Sequence, residues 1–176
     1  MRILAISGSL RAASSNTRVI EALARLAPAG VEVVVYDGLG DLPHFNFDLE
    51  EGGPPTAVAA LRQAVGQADG LIICSPEYAH GVAGVMKNAL DWLVPSLEFP
   101  QKPVALFNAA PRAHHAQAHI RETLVTMQAR MVDAACIDVP LQGRSLDTEQ
   151  IVADPGLAPL LREALSRFAD GILSAA

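Results

Sequence analysis

Five short runs along the chain are apolar at nearly every position and rich in valine and isoleucine: MRILAIS (1–7), VEVVVYD (31–37), GLIICSP (70–76), KPVALFNA (102–109) and AACIDVP (134–140). Continuous apolarity of this kind marks strands buried on both faces. Between the runs the pattern becomes helical. Val19, Ile20, Leu23, Leu26 and Ala27 recur at helical spacing after Asn16, which can cap the helix, and Pro28 with Gly30 ends it. Further helical patterns cover about 56–67, 83–94, 113–131 and 156–174. Strands separated by helices predict right-handed crossovers, and so an α/β fold whose parallel sheet is covered on both faces.

Two long polar connections, 37–55 and 141–156, read as surface loops around a site. The helix around KNALDWL carries an apolar set wider than one core stripe, in which Trp92 broadens the faces of Met86 and Leu93. Excess apolar width predicts a partner surface there, with Lys87 and Asp91 paired four residues apart on the polar side.

In a doubly wound sheet, ligands sit beyond the carboxyl ends of the strands, where strand order reverses. The segment SGSLRAASSNTR (7–18) ends the first strand and opens the first helix. It offers backbone N–H groups, the positive end of a helix, the hydroxyls of Ser7, Ser9, Ser14 and Ser15, and the Arg11 guanidinium, which together suit a phosphate. There is no G-x-x-x-x-G-K-[ST] for a triphosphate and no G-x-G-x-x-G for an ordinary dinucleotide turn, so a monophosphate ester is expected. After the third strand, Ser75, Pro76, Glu77 and Tyr78 form a loop with a rigid proline and an aromatic, able to hold the edge of a planar heterocycle. Phosphate at one loop and ring at the next describes a mononucleotide.

Composition narrows the picture. At 176 residues, 51% of them hydrophobic, the chain fits one domain, 1–176. A formal net charge of −6 without a Lys/Arg run argues against nucleic acid or an anionic membrane as partner. No signal peptide or apolar span long enough for a membrane is visible, so a cytoplasmic protein is expected. Cys74 and Cys136 sit in apolar runs without metal or redox spacing and read as small buried hydrophobes. His115 and His119, with His114, have helical spacing but no third ligand, and no metal site is expected.

GSLRAASSN and SPEY followed by GVMKNALDWL resemble the two signatures of the NADPH-dependent FMN reductases, the flavodoxin-like group that includes chromate, quinone and azo reductases; AQAHIRETL (116–124) is similar to the segment opening that family's fourth helix. The resemblance spans nearly the whole chain. It implies a flavodoxin-like three-layer sandwich with a five-stranded parallel sheet in the order 2-1-3-4-5. It further implies an FMN-dependent NAD(P)H oxidoreductase that passes electrons through the flavin to a quinone, free flavin, azo compound or metal ion such as chromate. NADPH or NADH is then the co-substrate, and no side-chain acid or base is required. The cofactor-binding residues implied are Ser9, Arg11, Ser14, Ser15, Asn16 and Thr17 for the phosphate, with Pro76, Glu77, Tyr78 and Ala79 for the ring. Arg112 is a candidate for the pyridine nucleotide's phosphates and His80 for a quinone oxygen. A homodimer or homotetramer is also implied.

The chain departs from the family pattern at three places. Ala79 replaces the usual asparagine, Ala83-Gly84 the usual Pro-Gly, and NAAPRAHH (108–115) the usual glycine-rich loop. The first departure predicts one lost polar contact near the ring. Two other readings compete with the reductase: a flavodoxin-type electron carrier, and a relative with weakened flavin binding and a regulatory role. The scarcity of aromatics, one tryptophan and two tyrosines, weighs against the carrier.

Overall fold

The computed structural model describes residues 1–110, 112, 114–141 and 143–174. A central sheet is built from β1 (Arg2–Ser7), β2 (Glu32–Tyr36), β3 (Gly70–Cys74), β6 (Pro103–Asn108), β7 (Arg130–Met131) and β8 (Ile137–Asp138), every pairing parallel. Its order is β2-β1-β3-β6, and both β7 and β8 pair with β6. A separate antiparallel hairpin joins β4 (Glu77–Tyr78) and β5 (Gly81–Val82).

The expected order 2-1-3-4-5 therefore holds by position, but the fifth position is split. The run AACIDVP was read as one strand. Instead Asp133–Ala135 coil into a 3-10 turn between β7 and β8, so the last position is filled in two short pieces.

Side chains alternate across the sheet. Ile3 and Ala5 of β1 enter one core with α1 (Ser15–Leu26), α6 (Thr148–Ala153) and α7 (Leu157–Leu173). Leu4 and Ile6 enter the other with α3 (Thr56–Gln67), α4 (Gly84–Leu93) and α5 (His114–Thr126). Both faces being covered, the strands need no polar side, which is why they read as unbroken apolar runs.

Four expectations need correction. The cap of α1 is Ser14, whose hydroxyl accepts the Thr17 N–H at 3.4 Å; Asn16 lies inside the helix and is buried. The pattern over 113–131 overran the helix. α5 stops at Thr126, where Gln128 takes a φ of 63° and the Ala129 N–H returns to the Leu124 carbonyl at 2.8 Å.

The two polar connections hold short helices, α2 (Phe47–Glu51) and α6. Asp147 and Gln150 form a reciprocal capping box at the start of α6. Lastly, the wide apolar face of α4 is covered by this chain itself. Trp92, Met86 and Leu93 are at most 2% exposed. The Trp92 indole N–H donates to the Pro43 carbonyl at 2.8 Å, and Phe45 packs edge-on against its ring. Asn88 holds the same segment by donating to the Pro43 carbonyl and accepting the Phe45 N–H.

Candidate functional site

Strand order reverses between β1 and β3: from β1 the chain moves out to β2, then returns to place β3 on the other side of β1. The loops leaving these two strands are clamped together. The Gly8 N–H donates to the Cys74 carbonyl at 2.9 Å, and a methyl on Gly8 would overlap the Ser75 hydroxyl and lie 2.6 Å from its Cβ. Only glycine lets the two backbones approach this closely.

Beyond this clamp lies a cleft of about 230 Å³. Ser9, Arg11, Ser14, Ser15 and Asn16 line one side, Pro76, Glu77 and Tyr78 the other, and Ala109 with Ala110 the floor after β6. Eight of the ten residues expected at the site thus meet at one place. The first turn of α1 carries no acidic side chain, and its leading N–H groups have no helical partner. Hydroxyls, a guanidinium and a positive helix end face one spot, a donor set suited to a phosphate ester.

Thr17 and Ala79 are not among the lining residues. The Thr17 hydroxyl is hydrogen-bonded to that of Ser7 at 2.8 Å, and Ser7 in turn accepts the Ser9 N–H at 3.3 Å. Ser7, expected as a phosphate donor, is buried and shapes the loop from beneath. Asn16 has a second duty: its side-chain oxygen accepts the Cys74 thiol at 3.3 Å. Burial pushes that thiol up to about 12, so Cys74 stays a protonated donor. Burial also raises Cys136, while the Leu106 N–H, which donates to its sulfur, works against the rise.

Ala79 and His80 are the two turn residues of the β4–β5 hairpin, with φ of 48° and 59°. Two successive positive φ values are the signature of a type I′ turn, where Asn-Gly is favoured because both tolerate the left-handed region. The asparagine usual in the family at this position therefore has a backbone reason, and the contact to the ring expected to be lost with Ala79 need not be invoked. Tyr78, 57% exposed, presents its ring at the cleft wall.

Glu77 lines the cleft but spends one carboxylate oxygen on α5, accepting the Ala116 N–H at 2.8 Å. That bond is the main reason its carboxyl is held below the ordinary glutamate range; His115 and His80 add smaller pulls in the same direction. The His80 ring stacks on His115 with centroids 4.3 Å apart, so the hairpin tip rests on the start of α5. Among the described residues, no group of three or more His, Cys, Asp or Glu side chains could hold a metal ion. Part of the departing loop 108–115 lies outside the described residues, at 111 and 113.

The polar connection after β8, expected as a surface loop around a site, does line one, although none of its residues was singled out from the sequence. A second cleft of about 500 Å³ adjoins the first, sharing Arg11, Ser15, Ala109 and Ala110, and its far wall comes from Pro140, Leu141, Gly143, Arg144 and Ser145. That wall is fixed by contacts between α1 and α6. Arg18 donates to the Leu146 carbonyl at 3.0 Å, Thr148 donates to Glu21 at 2.6 Å, and Arg25 pairs with Glu149.

Known proteins resemble this chain in sequence and fold. The sequence profile of the NADPH-dependent FMN reductases matches residues 1–141. An NAD(P)H-dependent FMN reductase of Pseudomonas aeruginosa is 35% identical over 159 residues, which cover 84% of this chain and 85% of the relative. A quinone reductase of Escherichia coli is 34% identical over 139 residues, 76% of this chain and 74% of the relative. Among solved structures, a flavoenzyme NAD(P)H:acceptor oxidoreductase of Paracoccus denitrificans superposes with a TM-score of 0.80 at 27% identity, covering 98% of this chain and 97% of its own.

Proposed function

The chain belongs to the NADPH-dependent FMN reductase family and is an NAD(P)H-dependent oxidoreductase working through FMN, and we propose that the cleft between the β1 and β3 loops is where that FMN is held. The observation that carries the assignment is the meeting of Ser9, Arg11, Ser14, Ser15 and Asn16 with Pro76, Glu77 and Tyr78 around one cavity. The donor set fits a singly esterified phosphate, and the proline and tyrosine fit a flat ring.

When bound, FMN supplies the hydride acceptance and electron delivery. The residues of the chain bind and orient it. Arg11 supplies charge and Ser9, Ser14 and Ser15 supply hydroxyls, while Asn16 fixes the helix end by holding the Cys74 thiol. Glu77 sets the hairpin against α5, and Tyr78 covers one edge of the ring site. The acceptor is a quinone or a similarly small oxidant, a class supported by the quinone reductase relative and by the open face at Tyr78. The carrier reading has less support, because Tyr78 is the one aromatic among the described residues lining the cleft.

The 176 residues act as a single FMN-binding domain. Two free cysteines suit the reducing cytoplasm, and among the described residues no helix is long and apolar enough to cross a membrane. The chain works as a homodimer or homotetramer. Its contact surface is not the buried Trp92 face but the exposed Phe47 and Leu49 of α2 with Val94 and Leu97 beyond α4.

The test is an FMN titration of the purified protein followed by steady-state NAD(P)H oxidation with a benzoquinone. Binding with turnover supports the assignment. Failure to bind FMN sinks it, and binding without turnover favours the carrier.

A further inference from the structure

The second cleft is strongly cationic in a chain whose net charge is −6. Three guanidiniums, Arg11, Arg112 and Arg144, line it together with Ser15 and Ser145. Arg144 is held in place: its Nη1 donates to Asp154 at 2.8 Å and its Nε to the Leu141 carbonyl at 3.3 Å. Asp154 is itself fixed at the start of α7, accepting the Gly156 and Leu157 N–H groups at 2.9 Å. This carboxylate stands behind Arg144 and is not part of the cleft lining. Guanidiniums arranged around a cavity of about 500 Å³ suit a phosphorylated nucleoside, since planar forks pair with phosphate oxygens and the volume falls in the range of small-molecule sites. With Arg11 engaged at the first cleft, Arg112 and Arg144 are left for a second phosphate-bearing molecule.

Residues 143–145 lie just beyond the span that the family profile matches. We propose that the second cleft receives the phosphate-bearing adenosine half of the pyridine nucleotide, and that Arg144 selects NADPH over NADH by pairing with the ribose 2′-phosphate. The proposal rests on FMN occupying the first cleft, whose floor of Ala109 and Ala110 the two clefts share.

The test uses 2′,5′-ADP and 5′-AMP, titrated calorimetrically into the FMN-loaded protein. The 2′-phosphorylated compound is expected to bind roughly tenfold to a hundredfold more tightly, the range for a charge-assisted hydrogen bond. In Arg144→Ala that preference should collapse, and the ratio of kcat/KM for NADPH to that for NADH should fall by a similar factor. The FMN Kd should move less than twofold. Arg144→Lys, which keeps the charge and a partner for Asp154, should retain part of the preference and guards against a folding defect in the alanine variant. Equal binding of the two adenosine phosphates, or a preference that persists in Arg144→Ala, overturns the proposal. Inorganic phosphate competing as well as 2′,5′-ADP overturns it too, because the cleft would then read a bare anion. Absence of FMN binding in the unsubstituted protein is a separate result, which removes the flavin assignment and this proposal with it.

Discussion

The carboxylate of Glu77, on the hairpin that walls the first cleft, accepts the backbone N–H of Ala116 at 2.8 Å, in the first turn of α5. A residue placed by its motif at a ligand thus also fastens one loop of the site to the helix that follows β6.

The contact carries a pH dependence of known sign. Glu77 is held below its ordinary range in the folded chain, chiefly by the Ala116 N–H. Its stabilisation is therefore fully present above the unfolded glutamate pKa of about 4.3 and is lost as pH falls through the lower folded value. Between roughly pH 5 and pH 3 the Tm of the unsubstituted protein should fall more steeply than that of Glu77→Gln. Parallel melting curves across that window would remove Glu77 as the tether.

Arg11→Ala should weaken FMN binding roughly tenfold to a hundredfold, because it deletes the guanidinium lining the phosphate side of the cleft. Fluorescence titration measures this directly. An unchanged Kd would put the phosphate elsewhere.

Gly8→Ala should destabilise the fold by about 1–3 kcal/mol, the range for overpacking, because the added methyl meets Ser75. Ser75→Gly in the same chain should restore part of the loss. Chemical denaturation of the single and double variants decides it; a neutral Gly8→Ala would mean the two loops part without cost.

Ala79→Asn should stabilise the protein by about 0.5–1 kcal/mol, raising Tm by a few degrees at most, through relief of the left-handed φ at the hairpin turn. FMN affinity should stay within twofold, since Ala79 is not among the residues lining the cleft. Tighter binding without a stability gain would restore the direct contact that the family pattern suggested.

Leu97→Asp, at a residue 93% exposed, should lower the assembled mass toward 18.5 kDa in light scattering without affecting FMN binding. An unchanged mass would move the contact surface away from the end of α4.

The four long strands and the gathering of the loop after β1 at a cleft were legible because their signals are local: continuous apolarity in one case, a cluster of hydroxyls and a guanidinium at a strand–helix junction in the other. What could not be read depends on partners far apart in sequence. Asn16 looked like a helix cap because Asn and Ser both cap well; Cys74, 58 positions away, claims it instead. Thr17 looked like a ligand donor until paired with Ser7. The helix α6 is too short to show a period, although the Asp147–Gln150 spacing was a readable start signal. The fifth strand position failed for a different reason: the short 3-10 turn at Asp133–Ala135 takes the first two residues of the apolar run at 134–140, and β7 lies before it, at the end of the stretch whose pattern read as helix.

Trp92 is the only tryptophan in the chain, and its indole is enclosed by Pro43 and Phe45. Its emission is therefore a built-in optical gauge of whether the 43–47 segment is seated on α4. A blue-shifted spectrum reports a docked strap, and a red shift at denaturant concentrations below the main transition would reveal that this strap peels away before the sheet comes apart.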